Sequence, residues 1–246
     1  MNFEYWFYYF QQNQNHFAHI DFDVEPSLTN HEKCLVTSSI QQFQKGENSE
    51  GKHLYNYAKA YGDHFYLQAI KLFIKEEQDH AKVLGKWMHL EGIPKIKGHW
   101  VDGAFRKIRN LFGLELSITV LVTAEIIAAV YYKALKLATG SSLLKSLCDQ
   151  ILIDEDKHLE FQAHTMAILN REQNYASIFT KRLLHKMFMA ATIMLVWFYH
   201  GSILKAGGYN FLKYWKDVFQ VFNTVDTLIW NKLKKSMEKA THKAAA

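Results

Sequence analysis

Two Glu-x-x-His pairs, Glu77 with His80 and Glu155 with His158, are the residues of this 246-residue chain whose types and spacing point most directly to chemistry. Positions i and i+3 share a helix face, so each pair projects a carboxylate and an imidazole in one direction. The apolar stripes around them (Ile70, Phe73, Ile74, Ala81, Leu84 and Leu147, Ile151, Leu152, Leu159) run through those same faces and turn both pairs toward a core. A third carboxylate, Glu125, is the only charged side chain of the run LSITVLVTAEIIAAVYY, where burying it alone is costly. A fourth is Glu47 or Glu50, both on the stripe through Phe43, Leu54 and Tyr57.

Spacing chooses between these two. Glu47 to Glu77 and Glu125 to Glu155 are each 30 residues, while Glu47 to Glu125, Glu77 to Glu155 and His80 to His158 are each 78. The acidic neighbours Glu76 and Asp154 also lie 78 apart, whereas Glu50 plus 78 lands on Ala128, so Glu47 is the better candidate. Four carboxylates and two imidazoles converging in a dry interior cannot stay ionised without a cation. Two divalent metals solve the problem, and an oxygen-rich set with one imidazole per ion suits iron or manganese. Cys34 and Cys148 form no Cys-x-x-Cys pair, which excludes a thiolate zinc site and a rubredoxin-type iron. The stripes pass through Glu77 and Glu155 and not through Glu76, Asp154 or Asp156. Asp79 and Asp156 read as surface charge, Tyr55, Tyr57, Tyr131 and Tyr132 as core packing, and the other eleven histidines receive no role.

The elements that must position these groups are helical. Only 2 Pro and 12 Gly occur, too little punctuation for a β-sandwich or barrel, and the 49% hydrophobic content supports a large core. One helix is expected from caps at Ser27 to Asn30 as far as Gly62, a second from Asp63 to the stop at Gly92 and Pro94, a third over Leu114 to Ala138 and a fourth from Ser141 or Ser142 to about Leu169. Between the second and third lies a basic connector expected to hold a short helix. Two further helices follow, Ser177 to about Ala206 and Phe211 to about Lys239, split by Gly207 and Gly208, with the tail THKAAA fraying. Seven of the eight positions from Phe3 to Phe10 are aromatic, and this segment is expected to pack across the end of the bundle. The chain thus divides into an aromatic segment (1–26), a four-helix bundle (27–170) and a C-terminal helical extension (171–246).

The net charge of +5 is a weak clue, without the concentrated basic run of a nucleic-acid binder. No basic residue precedes the first apolar stretch, so export is not expected, and the cysteine usage fits a reducing cytoplasm. Neither Leu116 to Tyr132, interrupted by Glu125, nor Met187 to Tyr199, only 13 residues long, is expected to span a membrane.

The wording KGENSEGKHLYNYA around Glu47, EEQDHAKVL around His80 and DEDKHLEF around His158 resembles the ferritin-like di-iron carboxylate superfamily, closest to rubrerythrin-type domains, over about residues 30 to 170. The resemblance implies an all-α, ferritin-like antiparallel four-helix bundle with a long crossover. Glu77 and Glu155 would bridge two irons (or Mn/Fe, or two Mn), Glu47 and Glu125 would be terminal, and His80 and His158 would serve one ion each. It implies an oxidoreductase or oxygenase that activates O2 or peroxide for a small apolar substrate, with a separate electron donor; a homodimer is a further expectation, from the alternating aromatics and lysines of the last two helices (FLKYWKDVFQVF, IWNKLKK). The alternatives are ferroxidase or iron handling, peroxide detoxification and tRNA hydroxylation.

Overall fold

The computed structural model describes residues 2–48, 51–98 and 113–244, with side chains up to residue 235. Among the described residues the chain is all-helical: α1 (Glu4–Gln12), α2 (Asn30–Glu47), α3 (Lys52–Tyr61), α4 (His64–Leu90), α5 (Gly113–Ala138), α6 (Ser142–Leu169), α7 (Tyr175–Ala206) and α8 (Phe211–Ala244). The short helix expected in the basic connector, like Glu50, lies outside the described residues.

Local chemistry explains most boundaries. Thr29 caps α2 in a capping box with Glu32, Asp63 caps α4 through the Tyr66 amide, and Ser141 caps α6 through that of Leu144. The buried carboxylate of Glu91, just past α4, accepts from the Ser27 and Leu28 amides and fixes the chain entering α2. The single helix expected from the Ser27 to Asn30 caps to Gly62 is instead two. It ends at Glu47 and restarts after Gly51, whose φ of +62° a side chain tolerates poorly.

Cross-helix bonds set the packing. Gln44 donates to the Ala81 carbonyl, and Ser39 meets both Tyr131 and His200, tying α2 to α4, α5 and α7. The pairs 39 with 131 and 32 with 140 run α2 antiparallel to α5, and the pairs 80 with 154 and 87 with 141 run α4 antiparallel to α6. The hairpin of α2, α3 and α4 therefore lies beside the hairpin of α5 and α6, with α4 and α5 pointing the same way across a long connection. Helices α7 and α8 cover α5 and α6, and one buried cluster runs from Phe3 to Val225.

Two features differ from expectation. The aromatic segment does not cross the bundle end. Phe3 stacks near Tyr66, Phe10 near Phe73 and Trp6 near Phe161, so α1 lies along the groove between α4 and α6. The apolar stretch 187–199 is embedded in the 32-residue α7, so α7, like α5, is long and apolar enough to cross a membrane by length and composition.

Candidate metal centre

All six expected ligands come together from four helices. Glu47 ends α2, Glu77 and His80 lie on α4, Glu125 on α5, and Glu155 and His158 on α6. Donor atoms of Glu47, Glu77, His80 and Glu155 lie within 4.8 Å of one another, and so do those of Glu77, Glu125 and His158. Glu77 belongs to both groups. Glu155 also faces both, with Oε1 3.9 Å from His80 Nδ1 and Oε2 3.9 Å from His158 Nδ1. Both histidines are fully buried, and Glu155 and Glu125 nearly so.

The donor set fits two divalent cations. Glu125 Oε2, Glu155 Oε2 and His80 Nδ1 are buried without a hydrogen-bond partner, a costly arrangement unless something else binds them. The four carboxylates carry four negative charges when ionised, the number that two divalent ions cancel. Without a cation the charges are redistributed. Burial, reinforced by the charge of Glu77, pushes Glu47 up to about 8, and burial holds Glu125 and Glu155 well above the carboxylate range. Burial also opposes charge on His158 and Glu77, but hydrogen bonds of the imidazole to Glu76 and Glu77, with the attraction between His158 and Glu77, prevail, raising the imidazole and lowering the Glu77 carboxyl. Their atoms Nδ1 and Oε1 are 2.8 Å apart.

Each histidine turns Nδ1 inward and ties Nε2 to a carboxylate of the opposite helix. His158 Nε2 lies 2.9 Å from Glu76 Oε2 on α4, and His80 Nε2 lies 3.1 Å from Asp154 Oδ2 on α6. Such bonds favour a proton on Nε2, so that with a cation present Nδ1 would turn its lone pair to the metal, His158 giving up its contact with Glu77. The remaining carboxylates are also held: Tyr132 donates its phenolic proton to Glu47 Oε1 at 2.8 Å, and Gln162 donates to Glu125. Tyr132 therefore does more than pack the core.

The N-terminal arm reaches the same layer. The Asn13 amide donates to Glu76 at 2.8 Å and to Asp154 at 3.2 Å, and His16 Nδ1 lies 2.8 Å from Asp154 Oδ2. Burial alone would raise Asp154, but hydrogen bonds from His16 and His80 hold it well below the usual carboxylate range.

Sequence reasoning missed four of these groups. Glu76 and Asp154 were noticed only for their 78-residue spacing and lie off the stripes, yet are 3% and 0% exposed because α1 covers a second face of α4 and α6. Asn13 and His16 belong to a different segment, and the only signal for them was a polar run directly after an aromatic one. Asp156 is exposed, as expected of surface charge. No protein-family model, curated protein or solved structure matches this chain.

Proposed function

We propose that the chain is a ferritin-like dimetal carboxylate oxidoreductase, acting with O2 or peroxide on a small, mainly apolar substrate. The observation that carries this reading is the meeting of four carboxylates and two inward Nδ1 atoms, several without any other partner, around a carboxylate shared by two donor groups. A bound pair of iron or manganese ions would supply the redox and Lewis-acid chemistry. Glu77 and Glu155 would lie between the ions, Glu47 and His80 at one end, and Glu125 and His158 at the other.

The chain's own contribution is order and dryness. Glu76 and Asp154 hold the histidine tautomers, Tyr132 and Gln162 fix the terminal carboxylates, and Phe73, its ring 4.7 Å from that of His158, keeps water off the α4 side. Glu77 keeps 16% of its side chain accessible, which leaves a small reactant a route to the shared carboxylate. A reducing compartment suits two free thiols, Cys34 and Cys148, and electrons would come from a separate donor.

Elemental analysis of chain produced with iron, followed by optical spectra as oxygen is admitted to the reduced protein, tests the reading. Two irons per chain with an oxygen-dependent absorption change is the expected result. Substoichiometric metal that never responds to oxygen would overturn it.

A further inference from the structure

The helices α7 and α8 enclose, against α5 and α6, a cavity of about 410 Å3. Its walls include Leu116, Met166, Phe188 and Trp230, and its charges cancel internally. Lys181 Nζ lies 2.7 Å from both oxygens of Glu115, and Arg182 makes a two-pronged bond to Asp226. Burial lowers His185 to about 4, so its imidazole is neutral at pH 7, and its Nε2 meets the Thr123 hydroxyl at 3.0 Å. No charge is left to recognise an ion. A cavity of this size holds roughly a dozen water-sized atoms at about 30 Å3 each and lies within the range of small-molecule sites.

Its α5 and α6 walls lead toward the candidate centre, none of whose six residues lines it. Thr119 Oγ1 contacts Met166 Sδ at 3.9 Å across the cavity floor. Glu125 lies six residues beyond Thr119 on α5, about 9 Å along the axis. On α6, one turn before Met166, Gln162 holds Glu125 through its amide and keeps Oε1 buried with no partner. Leu184 lines the cavity and is 59% exposed, so the mouth opens on the α7 side.

We propose that this cavity binds a neutral, largely apolar small molecule and is the organic-substrate chamber on the Glu125 side of the centre. The binding half stands on the cavity alone, and the second half rests on the dimetal reading. The extension thereby gains a role that four bundle helices could not fill, because two of the chamber's four walls come from α7 and α8.

Binding is tested on the full chain without metal. Titration with 10-bromodecan-1-ol, followed by tryptophan fluorescence, should show saturable quenching at one equivalent, and Trp230→Phe should lose that component. Calorimetry with 1-decanol should give one site in the wild type, weakened at least tenfold in Leu116→Trp, with circular dichroism verifying the fold. Should Leu116→Trp not fold, Leu184→Trp at the mouth takes its place. Absence of saturable binding, or binding indifferent to the filled variant, would overturn the proposal. The link to the centre is read on chain loaded with Co2+, whose visible bands report ligand geometry. Saturation with 1-decanol should shift those bands in the wild type and not in Leu116→Trp. Two bound cobalt ions with unshifted bands would remove the chamber assignment, whereas alcohol binding without any cobalt uptake would refute the dimetal reading and leave the ligand site standing.

Discussion

Replacing Glu125 by glutamine separates the cost of the buried carboxyl from its use. The substitution keeps the size of the side chain, and its amide oxygen can still accept the proton that Gln162 donates to Glu125. A carboxyl held far above its usual pKa by burial is lost with it, so the metal-free variant should melt no lower than the wild type. The donor group of Glu47, Glu77, His80 and Glu155 is untouched, while the group of Glu77, Glu125 and His158 loses its terminal carboxylate. One ion per chain should then bind in place of two. An ion at about 100 times its Kd stabilises the fold by roughly 2.7 kcal/mol, and two by roughly 5. For a chain of 246 residues, each kcal/mol moves Tm by roughly 2–4 °C, so loading should raise the wild type by roughly 10–20 °C and Glu125→Gln by about half. Calorimetric melts with and without Mn2+, paired with elemental analysis, read both numbers, and Glu50→Ala should match the wild type throughout. A glutamine variant that binds two ions with the full shift would refute Glu125 as a ligand.

The outer carboxylates should act crosswise. Glu76→Ala should weaken the ion held by His158, and Asp154→Ala the one held by His80, each by roughly 10- to 100-fold in titrated affinity. A Cβ at Gly207 would sit 2.4 Å from the Ala134 carbonyl oxygen, so Gly207→Ala should cost roughly 1–3 kcal/mol in denaturant melts through overpacking. His185, lowered to about 4 by burial, stays neutral in the fold while the unfolded chain takes up a proton near 6.5. Stability should therefore fall as pH drops from about 6.5 to 4, and His185→Gln should flatten that part of the profile.

The convergence of the six candidate residues was legible because a helix writes one buried face as a period in the sequence. Glu77, His80, Glu155 and His158 each interrupt an apolar stripe, and the 30- and 78-residue spacings separate Glu47 from Glu50. That reasoning assumes a single buried face. It fails for Glu76 and Asp154, which are buried by α1, and the position of α1 depends on contacts such as Trp6 with Phe161 that no local pattern encodes. The break in the first helix left a local trace, with Gly46, Asn48 and Gly51 close together, but the apolar stripe continues across them and masks it. The cavity beside Glu125 leaves no trace at all, since its walls come from four helices spread over more than a hundred residues.

The crosswise bonds of His80 to Asp154 and His158 to Glu76 act as a mechanical gauge. Sliding α4 against α6 by one residue, about 1.5 Å, would break both at once, and no rotamer change on one helix alone could restore them. Because His80 and His158 belong to different donor groups, the distance between two bound ions would be fixed by the axial alignment of two whole helices. Asn13 spans the two carboxylates like a crosspiece, bonded to both, so the alignment is checked from outside the bundle as well. If the dimetal reading holds, cutting away the first 13 residues, α1 included, should therefore register as a spread in the spacing between the ions before any loss of the bundle helices α2 to α6.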